Sequence, residues 1–232
     1  MFGITFNNRY SCDLGIEVME RKNNTPSKIK ITETVPFLNG SYDFSSLYGS
    51  QCYEERELEY TFLIVDSERE SLQLRKIDIE NWLNNTNGKV ELIDDSIKNF
   101  YYLAECIDID WDESLRHSEF TVKFKAYPFK ISTKLEGNEM LWDEFCFYTD
   151  ILQETRFEIE GKRNIIISNA SAIEIQPSIY VSGNININHR GKVYMLTTGT
   201  YDDYTFMLAI GDNAMEVNGK GTIEFKFRKE VL

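Results

Sequence analysis

Very little in this sequence invites chemistry. Its 232 residues include 2 histidines, 4 cysteines, 4 prolines and 3 tryptophans. Cys12, Cys52, Cys106 and Cys146 stand far apart, so no pair has the C-x-x-C spacing of a zinc or redox site. The start, MFGITFNNRY, lacks the charged head and apolar stretch of a signal peptide, so the cysteines are expected to be reduced thiols of a cytosolic product. No window approaches the ~18 consecutive apolar residues of a spanning helix, and no membrane insertion is expected. Positive charge is also scarce: 25 Lys and Arg against 38 Asp and Glu give a formal net charge of −13. Such a chain gains nothing from counterion release on a phosphate backbone, which argues against nucleic-acid binding.

Catalytic motifs are missing too. There is no HExxH, no P-loop, no GxGxxG after a strand and no GxSxG. His117 (in SLRHSE) and His189 (in NINHRG) are expected in exposed turns, neither near a Cys, Ser or carboxylate pattern that signals a nucleophilic relay. The run IDIDWDES places Asp108, Asp110 and Asp112 at the one-three-five spacing of a calcium loop, with Glu119 at the twelfth position. Glu113, however, stands where that loop needs Gly, and Ile109 and Trp111 make the segment a strand whose carboxylates share the wet face. The expectation is a protein that is not an enzyme, with no catalytic residue, no cofactor and no metal site.

What the chain does have is apolar and aromatic material: 42% hydrophobic, 13% aromatic, with 15 Phe and 13 Tyr. That suffices for one large domain or two smaller ones and favours strands. Alternating or apolar runs predict strands over 28–37, 57–65, 89–93, 100–111 and 118–129. In the last of these, Phe120, Val122, Phe124 and Ala126 alternate with Thr121, Lys123 and Lys125, as one buried and one wet face require, until Pro128 ends the ladder. One helix is predicted over 67–85, opened by a Ser67–Glu70 capping box and closed by Asn87-Gly88. Leu72, Ile79 and Leu83 share one side with Trp82 beside them, while Leu74 and Ile77 fall opposite. A helix apolar on two sides is either sandwiched inside its domain, the default reading, or meets a neighbouring subunit.

The polar segment 132–139 looks like a linker, giving a first domain over 1–131 and a second over 140–232. Short strands punctuated by turn signals at 182–184, 188–191, 211–213 and 218–219 predict an antiparallel sandwich or jelly roll for the second. The fold class is therefore all-β, with one helix in the first of two sandwich-type domains.

Laid end to end, several segments resemble the phage tail-component family of long-tailed phages, the distal tail or tail-tip hub proteins. They are FNNRYSCDLGIEV, VPFLNGSYDFSSLYG with Pro36, Gly40 and Asp43, YEERELEYTFLI, IENWLNNTNGKVELIDDSIKNFYYLAEC and FKAYPF. Their order over about 130 residues carries the likeness. QPSIYVSGNININ adds a weaker one in the second half, where Asn169-Ala170-Ser171 replaces the family's Asn-x-Gly.

The resemblance implies a virion structural protein of a phage or prophage, assembled in the bacterial host cytoplasm and placed at the tail tip. It implies a hexameric hub ring, with galectin-like second domains projecting outward and no catalytic residues. The implied partners are further copies of itself, the tail tube protein, the tape-measure protein and tail-tip or receptor-binding proteins. A closing ring needs head-to-tail contacts, for which Phe44, Leu47, Tyr48, Leu74 and Ile77 are the candidate residues, and part of the negative charge is expected to line the channel. The competing reading is a carbohydrate-binding sandwich module, which predicts an exposed Trp or Tyr in a groove.

Overall fold

A computed structural model describes residues 2–37, 39–47, 49–66, 68–113, 117–137 and 150–232, without the side chains of Glu113 and His117. The protein is all-β with one α-helix, and the chain divides into two units after Ile131.

The first unit contains strands β1 (Ile4–Phe6), β2 (Arg9–Tyr10), β3 (Ile16–Asn23), β4 (Thr32–Glu33), β5 (Tyr42–Asp43), β6 (Arg56–Val65), β7 (Val90–Asp94), β8 (Phe100–Glu113) and β9 (His117–Ala126), with helix α1 (Arg69–Asn84) between β6 and β7. Its main sheet runs β2-β1-β7-β8-β9-β6-β3. Period-two patterning sets the register. Leu58, Tyr60, Phe62 and Ile64 of β6 point to the core and meet Phe124, Val122, Phe120 and Ser118 of β9. Aromatic rings fill the interior, with centroids 5.0 Å apart for Phe6–Phe124 and Phe62–Phe120 and 4.3 Å for Trp111–Phe120. Each such ring contributes about 1.5–3 kcal/mol by leaving water.

The inner face of α1 buries Leu72, Ile79, Trp82 and Leu83. Trp82 Nε1 donates to the Phe6 carbonyl at 2.8 Å, and Arg9 forks onto Asp78 at 2.9 and 2.8 Å, so the helix is pinned to the first hairpin. The helix cap falls one residue beyond the Ser67 of the expected capping box. Ser67 lies outside the described residues and the N-cap is Glu68, which makes no side-chain cap bond. Asp66 closes this end instead, accepting from the Glu68 N–H at 3.2 Å and the Ser71 hydroxyl at 2.6 Å. Behind the sheet, buried Asp94 accepts from Tyr60 Oη at 3.0 Å, Arg21 Nε at 3.3 Å and the Ser96 N–H at 2.8 Å. Burial beside this carboxylate holds the Tyr60 phenol well above its ordinary pKa.

The second unit uses long strands: β11 (Arg156–Asn169), β12 (Ser178–His189), β13 (Lys192–Leu196), β14 (Gly199–Tyr201) and β15 (Gly211–Lys226), in the order β11-β15-β12-β13 with β14 beside β12. β10 (Lys130–Leu135) enters this unit and β16 (Arg228–Val231) ends it. Residues 132–135, the start of the expected linker, are thus strand; the Glu136 N–H continues the pairing onto the Phe227 carbonyl at 2.9 Å. The strand expected over 141–148, with Trp142 and Cys146, lies outside the described residues.

Three of the expected turns, 182–184, 211–213 and 218–219, are not turns, and β15 begins at Gly211. β12 and β15 run through them, and core-facing positions that would carry apolar side chains are Gly183, Gly219 and Gly221. All three have positive φ, and a Cβ on each would collide with a backbone carbonyl of the facing strand (Lys220, Asn184 and Ser182 in turn). The glycines let the paired strands approach closely along one row, so the ladder continues without a break. Apolar positions on both sides of this row, among them Ile159, Ile165, Val181, Ile187, Val217 and Phe225, join a single core.

Near the start of this unit sits a buried charged group. Lys229 Nζ pairs with Asp150 at 2.7 Å, and Gln153 Nε2 donates to Glu136 at 3.2 Å. Burial pushes the Glu136 carboxyl above its usual range, with Asp150 adding to this and Gln153 and Lys229 opposing. A carboxyl raised in the folded state gives stability that is complete below the unfolded glutamate value, about 4.3, and is lost as pH rises through the higher folded value. Glu136→Gln should remove that loss. Urea unfolding between pH 4 and pH 8 should show a flatter profile for the variant than for the native protein, the difference growing toward pH 8.

Candidate interaction surfaces

Between β3 and β6 the chain leaves the sheet as an arm. The Lys28–Tyr53 bridge and the bonds Ile29 N–H to Cys52 O (2.9 Å) and Glu54 N–H to Ser27 O (2.8 Å) close its base. β4 and β5 pair Thr32 with Asp43 and Glu33 with Tyr42. Phe44 N–H donates to the Ile31 carbonyl at 2.8 Å and Ile31 N–H to Ser45 Oγ at 2.9 Å. Lys30 Nζ lies 2.6 Å from Asp43, holding that carboxyl well below its usual range, with Ser45 assisting. This ribbon is shorter than the ten-residue strand expected over 28–37. Only Thr32–Glu33 forms a strand, because no sheet face is available to cover its alternate side chains.

Those side chains therefore face solvent. Ile29, Ile31, Val35, Phe37, Tyr42, Phe44 and Leu47 are all exposed, Leu47 by 62% and Phe37 fully, and Tyr42 and Phe44 stack at 6.2 Å. Of the candidate contact residues, Phe44 and Leu47 lie on this arm and Tyr48 lies outside the described residues. Ile31 and Phe37 escaped the sequence reading because the alternation of 28–37 looked like a half-buried strand.

The second surface is the outer side of α1. Leu74 and Ile77 are 69% and 56% exposed, so the default reading of a helix sandwiched inside its domain does not hold. The polar neighbour Lys76, by contrast, turns inward and lies over the Trp111 ring at 4.4 Å. No surface among the described residues gathers three or more potential metal ligands. Asp108, Asp110 and Asp112 are exposed on strand β8, with Asp108 3.3 Å from Lys123.

Both histidines depart from expectation. His117 opens strand β9, paired with Val65, and is not in a turn. His189 ends β12 and is buried against Phe206, with Nε2 3.0 Å from the Met207 carbonyl. The real turn is the following Arg190-Gly191, so one residue of strand length separates an exposed histidine from a core one. Cys12, Cys52 and Cys106 are free thiols, and burial raises that of Cys106 to about 11.

These observations define an all-β protein whose distinctive surface is apolar. Residues 12–126 match the family model of the phage tail protein RIFT-related domain. The first unit thus carries a domain similar to that family's. No curated protein sequence matches it. Among solved structures, the Dit (gp 19.1) protein of phage SPP1, described as a paradigm of the hub adsorption apparatus in phages infecting Gram-positive bacteria, is similar along the whole length. Its TM-score is 0.72, with 12% identity and 100% of each chain covered, a likeness of fold. The phage P2 baseplate in its activated conformation with Ca aligns over 98% of this chain and 97% of that one, at 10% identity and a TM-score of 0.43.

Proposed function

We propose that this chain is the hub protein of a long-tailed phage or prophage. Six copies would form a ring at the tail tip that joins the tail tube to the adsorption apparatus. The observation that carries this reading is the arm: a tail-family domain holds out a ribbon of exposed apolar residues that its own fold leaves uncovered. Patches of this kind mark protein contacts. In a ring the arm of one subunit meets a different surface on the next, a heterologous contact that closes. Leu74 and Ile77 on α1 supply a second apolar surface, and the candidate contact set is Phe44, Leu47, Tyr48, Leu74 and Ile77. The whole-length fold likeness to a hub protein supports the same placement.

The unit up to Ile131 forms the ring in this reading and the remainder projects from it. The partners are other copies of the chain, the tail tube protein, the tape-measure protein and tail-tip or receptor-binding proteins, assembled in the bacterial cytoplasm. At −13 per subunit, the ring lines its channel with negative charge so that DNA passes without adhering. Light scattering coupled to size exclusion tests the assembly. A mass near six times 27.1 kDa is expected, and a monomer at every concentration, with and without the tail tube protein, overturns it.

A further inference from the structure

The wet face of the second unit carries a groove beside β14. Its volume is about 440 Å³, in the range of small-molecule sites. Tyr180 of β12 stands in it, 39% exposed, directly across from Thr200 of β14 on one side and Glu224 of β15 on the other. Arg156 of β11 is the next residue in the same row, opposite Glu224. One row further along, Ser182 faces Thr222, next to the facing glycine pair Gly183 and Gly221. Lys226 Nζ lies over the Tyr180 ring at 4.2 Å and 3.6 Å from the Glu224 carboxylate.

We infer that this groove binds a saccharide. The inference goes beyond the hub reading and does not depend on it. A sugar presents an apolar patch of C–H bonds and a rim of hydroxyls that both donate and accept. The groove matches both: a half-exposed aromatic ring, and around it four side-chain hydroxyls, a carboxylate and a guanidinium. The hydroxyls of Ser182, Thr200 and Thr222 and the guanidinium of Arg156 have no protein partner among the described residues. A purely apolar ligand would strand these groups. Arg156 brings a planar double donor suited to a carboxylate, so an acidic sugar is preferred over a neutral one. Arg156 and Glu224 also line an adjoining cavity of about 480 Å³, which extends past Thr155 to Glu136 and gives room for more than one ring.

Titration of the full-length protein with neutral and uronic-acid-containing mono- and oligosaccharides, followed by amide NMR shifts, tests this. Binding is expected to perturb β12, β14 and β15, with the acidic sugars tighter. Tyr180→Ala should weaken it at least tenfold, and Arg156→Gln should abolish the preference for acidic sugars. Thr222→Val, which removes one hydroxyl at nearly constant volume, serves if Tyr180→Ala fails to fold and should also weaken binding. No shifts with any sugar at millimolar concentration, or binding unchanged in the folded variants, overturns the inference.

Discussion

Replacing Ile31 and Phe44 together with aspartate should leave a folded monomer that no longer assembles. Both side chains are exposed in the single chain, and the arm's hydrogen bonds at these two residues are made by their backbone groups, which aspartate keeps. The fold should therefore change by no more than about 0.5 kcal/mol, the usual range for surface positions. Burying each side chain against a neighbour is worth about 1.5–3 kcal/mol, and an aspartate there adds a desolvation cost. Two such losses weaken each subunit contact by roughly 10²- to 10⁴-fold, at 1.4 kcal/mol per tenfold, and every contact in a ring carries the same lesion. Light scattering should report a mass near 27.1 kDa for the variant, with a melting temperature close to that of the unmutated chain. Ile31→Leu should assemble normally. Assembly undiminished in the double variant would remove the arm from the contact.

Gly221→Val should unfold the second unit while sparing the first. Gly221 has φ +147, and any Cβ there meets the Ser182 carbonyl, a backbone atom of a strand paired on both sides. A valine must either part β12 from β15 or adopt a conformation that a branched side chain resists. Strain and overpacking together cost about 3–5 kcal/mol, a large part of the ~5–15 kcal/mol that holds a domain folded. Gly161 makes the useful contrast. It too has positive φ, but open space surrounds its Cβ position, so Gly161→Ala should cost only about 1–2 kcal/mol. Amide NMR reads both outcomes: dispersed resonances of β12 and β15 should collapse in Gly221→Val while those of β6 and β9 persist.

The same glycines mark where sequence reading succeeds and where it stops. Strands with one wet face, such as β9, were legible to within three residues at either end, because burial imposes period two. The inner face of α1 was legible for the same reason at period 3.6. Asn218-Gly219 was misread because glycine permits two things locally alike, a turn and a close approach between strands, and only the facing strand decides between them. Alternation in 28–37 misled in the opposite sense: the pattern of a covered strand was present, but its cover is absent from the chain's own fold. His189 went astray by one residue at a strand end, enough to exchange solvent for the Phe206 ring. The Tyr180 groove was invisible, because its members come from four strands separated by up to 68 positions and meet only through register.

The uncovered side chains on the arm and on α1 impose an order on the life of a subunit. From the moment it folds it displays oily surface in water, so productive docking competes with random clumping. The −13 charge acts against clumping, since like-charged copies repel once their surfaces come within a screening length, about 8 Å at physiological ionic strength. Raising the salt shortens that range and quickens every encounter, correct and incorrect together. Low ionic strength and low concentration should therefore preserve the isolated subunit, and salt should serve as the throttle on its association.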